Sequence, residues 1–348
     1  MGINRRFKII TLAMLALFQY VTTVAQQQSD TRLSEKQAKF LEWRFGMFIH
    51  FNMATFVNRE WATGHEEPLL FNPTKLDCKQ WAKAAKSAGM KYAILTVKHT
   101  GGWCLWKSKY TQHGVQSFKN YKNGNGDIVR EFVDAFRKQG LKVGFYYCLP
   151  GDYSERWGNN EDKARGYKIT KEQKDLHGMP PEAQGDYEEF IQNQVVELLT
   201  NYGPIDVMWF DQFENKYTAS SWPTLRNSVY KLQPNCIVVG NNSHDYAQTD
   251  IHSYEYPYWM SKHKPENAMP GENNSSPAEV CDCIVDGFTW FYNDEIPVKL
   301  QSADSIVQRL NQCNSRKSNY LLNVQPDKEG LISGDYLKTL KKIGKINK

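Results

Sequence analysis

Short apolar runs alternate with longer amphipathic stretches along most of this chain. Phe45 to Ile49 is uninterrupted by polar residues and stops on His50. The pattern returns at Lys91 to Val97, Val143 to Cys148, Val207 to Phe210, Ile237 to Gly240, Ile251 to Tyr254, Gly287 to Phe291 and Tyr320 to Val324. Runs of this length predict strands buried on both faces. Between them, apolar residues recur at helical spacing. One helix is expected from Leu33 through Trp43. Asp77 is placed to cap a second that runs to Met90 with Trp81, Ala84, Ala85 and Ala88 on one face. Asp127 caps a third, which Gly140 ends. Tyr187 to Tyr202, Trp222 to Leu232 and Ala303 to Cys313 complete the set. Segments 51–76 and 150–185 read as long loops, and such loops in compact domains often carry function.

Strand–helix alternation repeated about eight times, with no break in composition, predicts a single α/β domain. The expected architecture is a (β/α)8-like, TIM-type barrel. A doubly wound open sheet is the main competitor. It would want a Gly-rich phosphate loop after the first strand, and His50-Phe51-Asn52 supplies none.

The first 25 residues stand apart. Arg5, Arg6 and Lys8 precede an apolar run from Ile9 to Val24, and small Ala25 follows. This order predicts a secretory signal peptide over 1–25, leaving 26–348 as the catalytic barrel domain. At about 16 residues the run is short for a spanning helix. The expected location is therefore exported, periplasmic or extracellular, without stable membrane insertion after cleavage. The formal charge is +5. Removing those three basic residues leaves +2, too little for a nucleic-acid footprint.

Aromatic residues make up 13% of the chain, with ten Trp and 19 Tyr. That richness suits the apolar faces of sugars and equally suits a large core. Among seven Cys, Cys104, Cys148 and Cys236 lie in or near apolar strands and are expected as buried small hydrophobes. Cys281-x-Cys283 lacks zinc spacing, so no metal site and no obligatory disulfide framework is expected.

Barrel enzymes place their chemistry at the C-terminal ends of the strands. Those positions hold His50, His99, Tyr147, Asp211, Asn241 and Glu255. Each has a plainer explanation alone: Asp211 as the cap of the next helix, the His as structural hydrogen-bonders, Tyr147 as core, Glu255 as a solvated charge. Together they put two carboxylates and several donors on one rim. Glycoside hydrolysis needs that combination, one carboxylate to attack and the other to protonate the leaving oxygen. Glu255 lies in an aromatic stretch that would raise its pKa towards that of a general acid.

Longer motifs sharpen this. Phe45 to Asn52 (FGMFIHFN), Glu60-Trp61 and Thr63-Gly64-His65 resemble the opening of α-L-fucosidases of glycoside hydrolase family 29. Phe71 to Trp81, Tyr92 to Tyr110, Met208 to Asp211 and Asn319 to Gly330 continue the likeness, which covers most of residues 35–335. The resemblance implies a (β/α)8-like barrel that works by retaining double displacement, without metal or cofactor. It implies Asp211 as nucleophile and His50, His99, Tyr147 and Trp209 as fucose contacts. Glu60 and Trp61 resemble a segment of the branch that cleaves Lewis-type linkages. Glu255 looks like the acid/base, with Glu279, Glu272 and Glu214 as rivals, and Asn241 completes the expected contacts. The expected partner is a fucosylated oligosaccharide or glycoconjugate. The short stretch after Pro326 leads us to expect none of the C-terminal β-sandwich many relatives carry.

Two departures stand out. The family's K-H-H-D-G is here Lys98-His99-Thr100-Gly101-Gly102, and no Arg accompanies Asn241-Asn242-Ser243. Each lost contact to a buried sugar hydroxyl would cost about 1–3 kcal/mol. Two further functions follow as alternatives: hydrolysis of a related α-linked sugar such as α-L-galactose, or carbohydrate binding with weak catalysis.

Overall fold

The computed structural model describes residues 33–347, apart from 63, 65, 118–120, 150–160, 163–166, 169–186, 212–220, 246–247 and 262–263. The expected signal peptide and most of the 150–185 loop lie outside the described residues, as does Glu214.

Eight parallel strands form the centre: β1 (Phe45–Ile49), β2 (Tyr92–Lys98), β3 (Lys142–Cys148), β4 (Val207–Asp211), β5 (Ile237–Gly240), β6 (His252–Glu255), β7 (Ala278–Cys283) and β8 (Ser318–Asn323). Their order around the sheet is β5-β4-β3-β2-β1-β8-β7-β6. The ends of this order are bridged. The Val238 amide donates to the Asp250 carboxylate at 2.7 Å, and the Asp250 amide returns a bond to the Val238 carbonyl at 2.9 Å. Higher up, the Ser253 amide donates to the Ser243 carbonyl at 3.0 Å. The result is the expected (β/α)8-type barrel, nearly closed.

Helix α1 (Glu35–Leu41) precedes the barrel and α2 (Met53–Phe56) follows β1. The outer layer comprises α3 (Cys78–Ser87), α4 (Ile128–Lys138), α5 (Tyr187–Asn201), α6 (Ser221–Leu232), short α7 (Tyr256–Ser261), α8 (Ala303–Ser315) and α9 (Gly334–Ile346). β5 and β6 are joined without a helix among the described residues. α1 supports that seam, its Lys36 ammonium 2.8 Å from the Asp250 carboxylate and its Gln37 amide 2.6 Å from the Asp250 carbonyl.

Local chemistry explains the boundaries. Asp77 accepts from the Lys79 and Gln80 amides at 2.9 and 3.0 Å, and Asp127 from the Arg130 amide at 2.8 Å. Each such cap stabilises its helix by about 1 kcal/mol. Gly140 sits at φ +70°, the left-handed turn that terminates α4. β1 and β2 are buried along their whole length, as strands wrapped by helices should be. At Gly46 a Cβ would lie 2.4 Å from the Tyr92 ring, so the first two strands meet only because this residue has no side chain. All seven cysteines are buried free thiols, and burial was the expectation for Cys104, Cys148 and Cys236.

One strand was misplaced by the hydrophobic pattern. Gly287 to Phe291 is loop, and the seventh strand is Ala278–Cys283. Its sequence, AEVCDC, carries Glu279 and Asp282 at fully buried positions. Tyr92 and Trp209 satisfy Glu279 inside the barrel and Arg309 of α8 satisfies Asp282 on the outer face, which lets a strand interior hold carboxylates that hydropathy reads as surface.

Candidate active site

Strand ends bring the site together. Asp211 is the last residue of β4 and Glu255 the last of β6; His50, His99 and Asn241 directly follow β1, β2 and β5. Asn323 ends β8. Strand alternation then decides which side chains face inwards. Trp209 and Asp211 share the inner face of β4.

That alternation corrects one expected contact. Tyr147 lies on the outer face of β3, its hydroxyl 2.6 Å from Gln194 of α5 and 2.9 Å from the Lys98 ammonium. Its neighbour Tyr146 faces the barrel and donates to Asp211 Oδ2 at 2.6 Å. The Tyr146 ring stacks on Trp209 at 5.2 Å and on His99 at 5.3 Å. Burial, with the adjoining Asp211 carboxylate, holds the Tyr146 pKa well above the usual range for a phenol. It therefore stays a donor.

One amide nitrogen joins the two carboxylates. Asn241 Nδ2 lies 2.9 Å from Asp211 Oδ1 and 3.0 Å from Glu255 Oε2. Two oxygens each about 3 Å from one nitrogen lie at most about 6 Å apart, which is compatible with a retaining pair and short for an inverting one. Asn242 secures Glu255 from both sides: its Nδ2 donates to Glu255 Oε2 at 3.2 Å and its Oδ1 accepts from the Glu255 amide at 3.0 Å. Burial raises the Glu255 pKa to about 7, reinforced by the Asp211 charge and partly offset by hydrogen bonds from Asn241, Asn242 and Trp290.

The histidines complete the floor. His50 Nδ1 lies 2.9 Å from Asn323 Oδ1, which also accepts from the His50 amide at 3.3 Å. Asn323 Nδ2 donates to the Trp290 carbonyl at 2.8 Å, which fixes the amide orientation. Asn323 Oδ1 is thus an acceptor, so Nδ1 of His50 carries the proton and Nε2 keeps its lone pair. Burial lowers the His50 pKa to about 3, which keeps the ring neutral. Phe291 stands edge-on to both histidines, at 5.2 Å from His50 and 4.8 Å from His99.

Glu60 and Trp61 enter from the loop after β1. Glu60 Oε2 accepts from the Trp290 amide at 2.8 Å. Its pKa is raised to about 7, chiefly by burial, with a contribution from nearby Glu255. Trp61 is 43% exposed and sits further out, on the rim.

The family model described as alpha-L-fucosidase matches residues 65–347. This chain belongs to the α-L-fucosidase family. It is 30% identical to Alpha-L-fucosidase 1 of Arabidopsis thaliana over 329 residues, covering 88% of this chain and 59% of that protein. It is 27% identical to Tissue alpha-L-fucosidase of Homo sapiens over 271 residues, covering 77% and 52%. Among solved structures, Alpha-L-fucosidase isoenzyme 1 from Paenibacillus thiaminolyticus superposes with a TM-score of 0.71 at 32% identity, covering 90% of this chain and 75% of that one. The chain spans between half and three fifths of the length of the two curated relatives.

Within this family member the rival acids separate by position. Glu272 is a surface residue, its side chain 87% exposed and 3.6 Å from Arg316. Glu279 is the second residue of β7, deep in the barrel, bonded to the Tyr92 hydroxyl and to Trp209 Nε1 at 3.1 Å. Neither faces Asp211. The motif departure also has a local basis. Thr100, where the family motif has its second His, is buried with its hydroxyl 3.1 Å from His99 Nδ1. Gly101 adopts φ +88°, and a Cβ there would lie 2.9 Å from Ala62 and the Gly64 backbone. The loop after β1 comes too close for the family's Asp.

The sequence reading missed Tyr146, Asn242, Trp290, Phe291 and Asn323. Tyr146 stands opposite inward-facing Trp209, a register that only the folded sheet reveals. Asn323 was passed over because the eighth strand was extended to Val324.

Proposed function

We propose that this protein is an exported, retaining exo-α-L-fucosidase that removes terminal α-L-fucose from oligosaccharides or glycoconjugates. The observation that carries it is the single Asn241 amide shared by Asp211 and Glu255. It holds two carboxylates of different strands within about 6 Å of each other, which supports double displacement.

In the first step an Asp211 oxygen attacks the anomeric carbon. The glycosidic bond breaks, its electron pair passes to the leaving oxygen, and Glu255 delivers its proton there. With a pKa raised to about 7, Glu255 keeps that proton in mildly acidic solution. In the second step the Glu255 carboxylate takes a proton from water, the water oxygen attacks the anomeric carbon, and the bond to Asp211 breaks. Neutral His50 offers Nε2 to a sugar hydroxyl. Tyr146 fixes the Asp211 rotamer, and buried Phe48 and Trp209 close the site from below, which suits one terminal sugar. The names of the relatives support the choice of fucose. The basic, apolar and small residues over positions 5–25 support export. The paired carboxylates speak against a purely binding role.

The test is the anomer released first. Proton NMR during hydrolysis of an aryl α-L-fucoside should show α-L-fucose before mutarotation. Initial β-L-fucose would overturn the retaining mechanism, and turnover of an aryl α-L-galactoside in preference to the fucoside would overturn the choice of sugar.

A further inference from the structure

Outside the carboxylate pair, aromatic side chains from three loops converge on one residue. Trp290 contacts His50 at 5.0 Å between ring centroids and hydrogen-bonds Glu255. Phe288 follows at 6.2 Å from Trp290. Beyond it stand Trp61 at 6.3 Å and Tyr258 at 6.4 Å from Phe288. Trp61 belongs to the loop after β1, Tyr258 to α7 after β6, and Phe288 and Trp290 to the loop after β7. The series starts buried at Trp290, is half-buried at Phe288, and reaches solvent at Trp61, 43% exposed.

The two loops that carry most of it are fastened together. Glu60 accepts from the Trp290 amide at 2.8 Å. Asn293 donates to the Asn58 carbonyl at 3.0 Å, and Asn58 donates to Asp294 at 2.7 Å. A platform fixed this way loses little conformational freedom when it binds.

We propose that Phe288, Tyr258 and Trp61 form an acceptor platform that binds the apolar C–H face of the hexopyranose to which the fucose is joined. The proposal rests on the fucosidase function above and names its aglycone. Glu255 must protonate the oxygen between the two sugars, so the leaving sugar emerges on the Glu255 side. Trp290 touches Glu255 there, and the series runs outwards from it. A pyranose ring has an apolar face that fits one flat aromatic ring; Phe288 offers that ring, and Trp61 and Tyr258, inclined to it at 41° and 55°, flank it as walls. The platform therefore selects oligosaccharide aglycones over small ones.

The test compares two substrates that share the fucose: a fucosylated trisaccharide, and α-L-fucosyl fluoride, which has no aglycone to stack. For Phe288→Ala, kcat/KM on the trisaccharide should fall about tenfold, while hydrolysis of the fluoride stays within twofold of wild type. Phe288→Tyr should restore the trisaccharide rate. Tyr258→Ala, whose residue is partly exposed, should repeat the pattern and carries the test if Phe288→Ala fails to fold. Equal losses on both substrates, or no loss on either, would overturn the platform and leave the fucosidase function standing. Absence of turnover by the wild type on both substrates would overturn that function and the platform with it.

Discussion

The barrel holds two sets of carboxylates that differ in what surrounds them. Glu279 and Asp282 sit inside, on β7, behind closed shells. Glu279 accepts from Tyr92 and Trp209. Asp282 accepts from Arg309, from the Tyr320 hydroxyl at 2.6 Å and from the Cys283 amide at 2.8 Å. Asp211 and Glu255 stand at the rim, partly exposed and sharing one amide. Burial raises both Glu255 and Glu279 to about 7. A shifted pKa therefore does not distinguish the proposed acid from a buried structural one; access to a second carboxylate does. Interior acids should be read out in stability, rim acids in turnover.

The largest effect that separates the two sets is expected at Asp211. Asp211→Ala should lower kcat/KM on an aryl fucoside by at least about 10⁴-fold, with a melting temperature no lower than wild type. Glu279→Gln should stay within about tenfold of wild-type turnover. The reverse order would break the distinction.

Next comes the interior ion pair. Arg309→Ala strands Asp282 and should cost about 3–5 kcal/mol in urea unfolding. The protein that remains folded should keep its wild-type KM. A shifted KM with unchanged stability would move Asp282 into the site.

The adjacent tyrosines of β3 give a sharper contrast. Tyr146→Phe removes a hydrogen bond to a charged group, worth about 1.5–3 kcal/mol, so kcat should fall roughly 10- to 100-fold. Tyr147→Phe should change kcat less than threefold. Hydrophobic patterning placed both residues on a buried strand and could not say which faced inwards, because strands covered on both faces lose the alternation of apolar and polar residues. The caps at Asp77 and Asp127, seven of the eight strands and the rim positions of His50, His99, Asp211, Asn241 and Glu255 were legible for the opposite reason: turn chemistry and run length mark them locally. β7 was not. Its polar residues are balanced by Arg309, Trp209 and Tyr92, which lie 27, 70 and 187 residues away, and no local pattern reports a partner of that kind. The links from Asn323 to His50 and from Glu60 to Trp290 were hidden likewise.

The smallest effect is a shift in pH dependence. In the proposed mechanism Glu255 acts as an acid only while protonated, and its pKa is raised to about 7. Activity should persist on the acidic side and fall as pH rises through about 7. Glu60, also raised to about 7, adds to the negative field at Glu255, so the limb belongs to the coupled pair. Glu60→Gln removes that field and should move the alkaline limb to lower pH. Glu279→Gln should leave the limb in place, although its own pKa is the same. A limb that followed Glu279 would contradict the assignment of the acid.

The most direct test of the rim pair is to trap its covalent intermediate. A 2-deoxy-2-fluoro-L-fucosyl fluoride slows the second step more than the first and should label the enzyme at one carboxylate. Fragmentation of the labelled peptide by mass spectrometry should place the fluorofucosyl group on Asp211. A label on Glu255 or Glu60, or a fully active enzyme that takes up none, would contradict the account.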